Sequence, residues 1–252
     1  MQRNVKSLIG FSIGATDGEI GKADDFYFDD ERWTVRYLIV KTGGWLSGKK
    51  VLISPAALHP PYWDQATFPV NLTKAQIEGS PDTDTDKPVS RQHEIDLHDH
   101  YSWPYSDRVG SGFYGGMGMM GMMDSRVPLE NQITDAVREG KEGDPHLRSA
   151  TEMIGYDLYT VNGQVGTVED FVIDDQTWTI SYLVIDTGTW VSGKKVLIAP
   201  RWIRDIKWET SSLKVDLTTD AIENSPVYDP ALPLEEDYEK ELYVFYGKSK
   251  EI

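Results

Sequence analysis

Along residues 33–40 the chain alternates. Trp33, Val35, Tyr37 and Ile39 fall on one face of an extended backbone, and Thr34, Arg36, Leu38 and Val40 on the other. A period of two predicts a β-strand, and the fade into an unbroken apolar run near its end predicts burial on both faces. A second stretch of the same design, WTISYLVIDT, starts at Trp178. Each is preceded by another predicted strand, IGKADDFYFD (20–29) or VGTVEDFVID (165–174), and the acidic DDER and DDQT between them read as hairpin turns. Upstream, SLIGFSIGA (7–15) reads as a short strand ended by a turn at Asp17-Gly18, with Asn162-Gly163 in the matching place. Downstream, KKVLISP predicts a strand stopped by proline, and FPVNL and LKVDL a further one. Thr73 and Thr218 then stand where N-caps belong, ahead of short helices reaching Ile77 and Ile222.

These parallels are one internal duplication. Shifted by 145 positions, the chain lies on itself without a gap: residues 18–55 fall on 163–200, and Leu72-Thr73, Ile77-Glu78 and Ser80-Pro81 fall on Leu217-Thr218, Ile222-Glu223 and Ser225-Pro226. The register continues through Pro88, Glu94, Leu97 and Tyr101 onto Pro233, Glu239, Leu242 and Tyr246. After the two prolines each copy adds a predicted helical tail, VSRQHEIDLHDHY (89–101) or LEEDYEKELYVFY (234–246), which should pack on its own barrel or on the other. The organisation expected is therefore a first unit with its tail over 1–102, a flexible Gly/Met-rich linker over 103–143, and a second unit with its tail over 144–252. Several short strands with no long helix among them point to a mainly β fold of two small barrels.

The G-x-x-V/I-G stretch, the acidic turn, the strand ending Tyr-Leu-Val/Ile, and the G-x-W…GKKVLI-x-Pro segment together resemble the PRC-barrel. So does DPHLRSATEMIGYDL (144–158), which leads into the second copy. The PRC-barrel is the cytoplasmic domain of the photosynthetic reaction centre H subunit and the C-terminal domain of a ribosome-maturation factor. The resemblance covers both repeats. The H subunit's transmembrane helix and the ribosome factor's N-terminal domain have no counterpart in this sequence. What the resemblance implies is a tandem PRC-barrel, a bacterial source, and a link to photosynthetic electron-transfer complexes or stress response.

Composition narrows the function classes. Zero cysteines among 252 residues exclude disulfides, thiolate nucleophiles and Cys-ligated metals. A formal charge of −16 disfavours nucleic acid, whose affinity rests on cationic neutralisation of phosphates. No apolar run reaches the roughly 20 residues of a membrane span, and the first residues hold no apolar core of a signal peptide, so a cytoplasmic protein is expected.

Several motifs look like chemistry. GGWLSGKK (43–50) and GTWVSGKK (188–195) match G-x-x-x-x-G-K, but lysine follows where a P-loop needs Ser or Thr, and a strand follows where it needs a helix. They read as turns whose lysines solvate the start of the next strand, and no nucleotide site or other cofactor is expected. His93, His98 and His100 could ligate a metal. In the second copy their places are taken by Tyr238, Tyr243 and Phe245, which suits packing positions better than ligands. The Met-rich 110–126 stretch could take Cu(I) or a partner, and reads first as a loose connector. The acidic pairs Asp24-Asp25, Asp29-Asp30, Glu169-Asp170 and Asp174-Asp175 lack the EF-hand order and read as surface turns. Trp33, Trp45, Trp178 and Trp190 recur at equal places, in core or hairpin packing or as interface anchors. Trp45, Trp190, Tyr101 and Tyr246 are the interaction candidates. With no catalytic set in the sequence, the expected function is a non-enzymatic protein-interaction or scaffold module with unknown protein partners. Intramolecular pairing of the barrels is expected, and a homo-oligomer is left open. The alternative is a regulator binding a small ligand or metal, between the barrels or in the Met-rich linker.

Overall fold

The structure is a computed structural model that describes residues 1–43, 48–81, 91–103, 144, 146–188 and 193–249. The first repeat contributes β1 (Gln2–Asn4), β2 (Ser12–Ala15), β3 (Gly18–Asp29), β4 (Thr34–Thr42), β5 (Lys50–Ile53) and β6 (Thr67–Pro69). The second contributes β7 (Leu147–Ser149), β8 (Asp157–Tyr159), β9 (Gln164–Asp174), β10 (Ile180–Asp186), β11 (Lys195–Ile198), β12 (Ile203–Lys207) and β13 (Ser212–Val215). One sheet runs β5-β4-β3-β2-β6 and the other β11-β10-β9-β8-β13-β12. The long β3–β4 and β9–β10 hairpins are antiparallel, while β2 with β6 and β8 with β13 are parallel. Gly21 sits where β3 crosses closest to β4: a Cβ there would run into the Lys41 carbonyl, and one at Gly166 into that of Asp186.

The lead-in strands do not stay with their own repeats. β1 pairs with β9 of the second repeat, Arg3 opposite Ile173, and β7 pairs with β3 of the first, Arg148 opposite Phe28. Each repeat thus extends the other's sheet in a pseudo-two-fold exchange. The hairpin ends also meet: Val35 N–H donates to the Trp178 carbonyl at 2.8 Å and Ile180 N–H to that of Trp33 at 2.7 Å. Both tryptophans take left-handed backbone conformations, φ 53° and 58°, uncommon for bulky residues, which turn their carbonyls toward the other repeat. Phe28 packs on Phe171 across the junction, and Trp178 packs on Phe26 and Phe68, so one buried cluster runs through both repeats.

Three expectations need correction. Residues 7–8 are not strand but the end of a helical turn, Val5–Leu8, and β2 begins only at Ser12. That turn depends on the other repeat. Buried Asp170 accepts from Lys6 N–H at 3.0 Å, Asn4 Nδ2 at 3.2 Å and Phe171 N–H at 2.8 Å. Asp25 does the same for the turn Ala150–Met153, accepting from Thr151 N–H at 3.0 Å and the Ser149 hydroxyl at 2.5 Å. The acidic pairs are therefore not simply surface turns: Asp25, Asp29 and Asp170 are buried because each meets backbone donors. The GKK lysines do not just solvate a strand. Lys49 donates to the Ser80 carbonyl at 2.9 Å, and Lys194 to those of Glu223 and Ser225, where the short helices Lys74–Glu78 and Thr219–Glu223 end. Lys50 and Lys195 pair with Asp24 and Glu169.

The tail helices Arg91–Tyr101 and Glu236–Phe245 each hold to their own repeat, through Glu94 to Tyr37 and Glu239 to Tyr182. The Gly/Met-rich stretch lies outside the described residues, as do Trp45 and Trp190. Among the described residues no helix is long and apolar enough to cross a membrane.

Candidate functional site

The sequence-derived candidates do not converge. His98 is buried beneath its own tail helix, with Nε2 3.1 Å from the Tyr37 hydroxyl, whereas His100 is exposed and its Nε2 lies 2.6 Å from the Gln76 carbonyl. His93 is partly buried. Among the described residues no three His, Asp or Glu side chains gather as a metal group. Tyr101 and Tyr246 are buried rather than presented to a partner. Tyr101 stacks on Trp103 at 4.2 Å and Tyr246 packs on Trp202 at 5.0 Å. The same two indoles meet His98 and its counterpart Tyr243, so an aromatic slot is filled by Trp202, from the turn between β11 and β12, in one repeat and by Trp103, beyond the tail, in the other.

One charged cluster is peculiar to the first repeat. Arg36 reaches Glu94 at 2.5 Å, Asp144 at 2.7 Å and Asp29 at 3.9 Å, and Tyr37 donates to Glu94 at 3.0 Å. Burial pushes the Glu94 carboxyl up against the opposing pull of Arg36, and it pushes the Tyr37 phenol well up. The second repeat has Ser181 in place of Arg36 and retains the Tyr182–Glu239 bond, at 2.7 Å. Such a constellation could do acid–base work if substrate reached it. Tyr37 and Glu94 are 1% and 2% exposed, however, and neither lines either of the grooves described next. In this fold the cluster ties the tail helix and Asp144, the first described residue after the linker, to β4.

The open site lies beside the inter-repeat junction. Arg3, carried across on β1, pairs with Asp175 at 3.4 Å and lays its guanidinium 3.8 Å over Trp63. The pseudo-symmetric Arg148 pairs with Asp30 at 3.0 Å and covers Trp208 at 3.9 Å. From there the two halves diverge. The second repeat continues Pro200-Arg-Trp-Ile-Arg-Asp-Ile-Lys into β12, which pairs with β13. Its Arg201 lies over Tyr243 and its Arg204 pairs with Asp216. In the first repeat the matching residues are Pro55-Ala-Ala-Leu-His-Pro-Pro-Tyr. Pro60 and Pro61 lack the N–H a strand needs, so only isolated bridges, Leu58 with Val70 and Tyr62 with Thr67, flank them. Ala56 and His59 replace Arg201 and Arg204. Smaller side chains on an interrupted strand leave a groove of about 710 Å³ between Pro55, Leu58, Pro61, Trp63 and the second repeat's Trp178. A neighbouring hollow of about 380 Å³, sharing Arg3 as its wall, is bounded by Tyr228 and the Pro230–Leu234 loop.

Sequence reasoning missed this groove. Its signal was present as a difference between the copies: HPPY against RDIK, just before the shared Trp63 and Trp208.

No curated protein matches the chain. The family model of the PRC-barrel domain matches residues 2–59 and 145–222, one region in each repeat, each taking in that repeat's lead-in strand and long hairpin. The chain belongs to the PRC-barrel family, with two copies of the domain in tandem.

Proposed function

We propose that the chain is a non-enzymatic protein-interaction or scaffold module whose partner docks in the groove between Pro55–Trp63 and Trp178. PRC-barrel domains are generally non-catalytic modules. The observation that supports docking here is asymmetry: one repeat closes this position with a charged strand, and the other opens it with prolines, Ala56 and half-buried indoles. Aromatic and proline surface at a groove floor suits protein contacts, where tryptophan is a preferred anchor. The acid–base groups lie elsewhere, sealed under the tail helix, and Asp175 in the groove wall is held by Arg3.

Affinity capture with cross-linking from the native host tests the proposal, comparing the wild-type chain with Ala56→Lys, a change at an exposed groove residue. Partners should be enriched over a charge-matched control and lost in the variant. Equal recovery with both proteins would refute docking in this groove. The same capture tests the link to photosynthetic or stress complexes that the family resemblance implies. A second reading, a small-ligand regulator, is favoured by one observation: 710 Å³ falls within the roughly 300–1,000 Å³ of ligand pockets. It predicts a ligand-induced change in tryptophan fluorescence that Ala56→Lys abolishes.

A further inference from the structure

We propose that the grooved face pairs two copies of this chain, each placing Leu232 of its Pro230–Pro233 loop into the other's Pro55–Trp63 groove. This deepens the interaction reading by naming a partner, and it rests on that reading. The donor is conspicuous: Leu232 is 63% exposed and Val227 60% exposed, against the usual burial of large aliphatic side chains. Of the eight exposed large hydrophobics among the described residues, Met1 and Leu232 line these two hollows, and Tyr62 and Val227 are chain neighbours of lining residues.

The loop is also pre-shaped. Prolines 226, 230 and 233 restrict it, and Leu232 and Ala231 N–H groups donate to the Asp229 carbonyl and carboxylate at 3.1 and 2.9 Å. Its base is pinned where Tyr228 donates to Asn4 Oδ1 at 2.5 Å. Little order remains to be imposed on docking.

Placement supplies the symmetry. Donor loop and acceptor groove lie side by side with Arg3 as a common wall. A two-fold axis near that wall sets each loop opposite the partner's groove, so one contact is made twice and the assembly closes. On the second repeat the position equivalent to the groove is occupied by β12.

Charge points the same way. Two molecules of −16 repel across most of their surface, but the charged groups lining the two hollows are the Met1 ammonium, Arg3 and Asp175, with both cations held on Asp175 and the ammonium shared with Asp174. This is a face on which copies can meet without stacking like charges.

Sedimentation equilibrium of the full chain from about 1 to about 100 µM reads the outcome directly. The expected result is twice the monomer mass at the upper end, with Leu232→Glu and Ala56→Lys each weakening association at least roughly tenfold by burying an unmatched charge. The double variant should regain dimer, because the new glutamate of one copy meets the new lysine of the other. Both sites are exposed, so unchanged melting separates lost association from lost folding. A chain that stays monomeric at about 100 µM, or dimers indifferent to both substitutions, overturns the proposal. If the chain is monomeric while Ala56→Lys still loses captured partners, the docking reading stands and self-pairing falls. If the variant changes neither, both fall.

Discussion

Asp170→Ala removes one side chain that holds the first repeat's lead-in against the second repeat. The carboxylate is buried and accepts three hydrogen bonds: Lys6 N–H, Asn4 Nδ2 and Phe171 N–H, at 2.8–3.2 Å. A net hydrogen bond contributes about 1 kcal/mol, and a buried donor left unmet costs about 1–3 kcal/mol. Water can reach Lys6 and Asn4 at the edge of the turn, but the Phe171 amide is buried. The expected loss is therefore about 2–3 kcal/mol, a fall of roughly 5–10 °C in melting temperature for a chain of this size. Asp25→Ala should cost about the same, since it accepts from Thr151, Ser149 and Phe26 in the pseudo-symmetric place. Urea unfolding gives the stabilities, and hydrogen exchange locates the effect: the 2–8 segment should lose protection in Asp170→Ala, and 147–153 in Asp25→Ala.

Asp170 also carries a pH signature. Burial pushes its carboxyl above the ordinary value, outweighing the three hydrogen bonds. A raised folded-state pKa means the folded chain binds the proton more tightly, so this group's contribution falls as pH rises from 3.8 through the raised value and is flat above it. The penalty of Asp170→Asn should accordingly shrink across that window. A loss below about 0.5 kcal/mol with the 2–8 amides still protected would refute the view that cross-repeat capping holds the junction.

Arg36→Met should destabilise by about 3–4 kcal/mol, leaving Glu94 and Asp144 buried without their cation, and should expose residues 91–101 to exchange before 236–245; adding Glu94→Leu should recover much of the loss. Equal protection of both tails in Arg36→Met would argue against the cluster as a tether. Gly166→Ala drives a Cβ into the Asp186 carbonyl and should cost about 1–3 kcal/mol by prising β9 from β10, measured by chemical denaturation. Lys194→Met removes the ammonium that binds the Glu223 and Ser225 carbonyls and should cost about 1–2 kcal/mol, with faster exchange confined to 219–225.

Local pattern along the chain was enough to set the units. Period-two alternation located β4 and β10, because a half-buried strand must alternate and a fully buried one must stay apolar, and the acidic turns before them placed β3 and β9 as their hairpin partners. Thr73 and Thr218 marked their helices, since an N-cap acts on amides two or three residues away, and Thr73 closes a capping box with Gln76. The 145-residue offset gave the duplication, and through it the two tails. Where each element finds its partner is a matter of long-range packing. Ser7 and Leu8 looked like strand because the carboxylate that holds their helical turn, Asp170, lies 164 residues from Lys6 along the chain. Asp25 and Asp170 looked like surface charge because the donors that permit their burial come from the other repeat. The exchange of β1 and β7 has no local signature at all: a strand's pairing edge is chosen by whichever neighbour leaves backbone groups unmet, and that is settled only when the two sheets stand side by side.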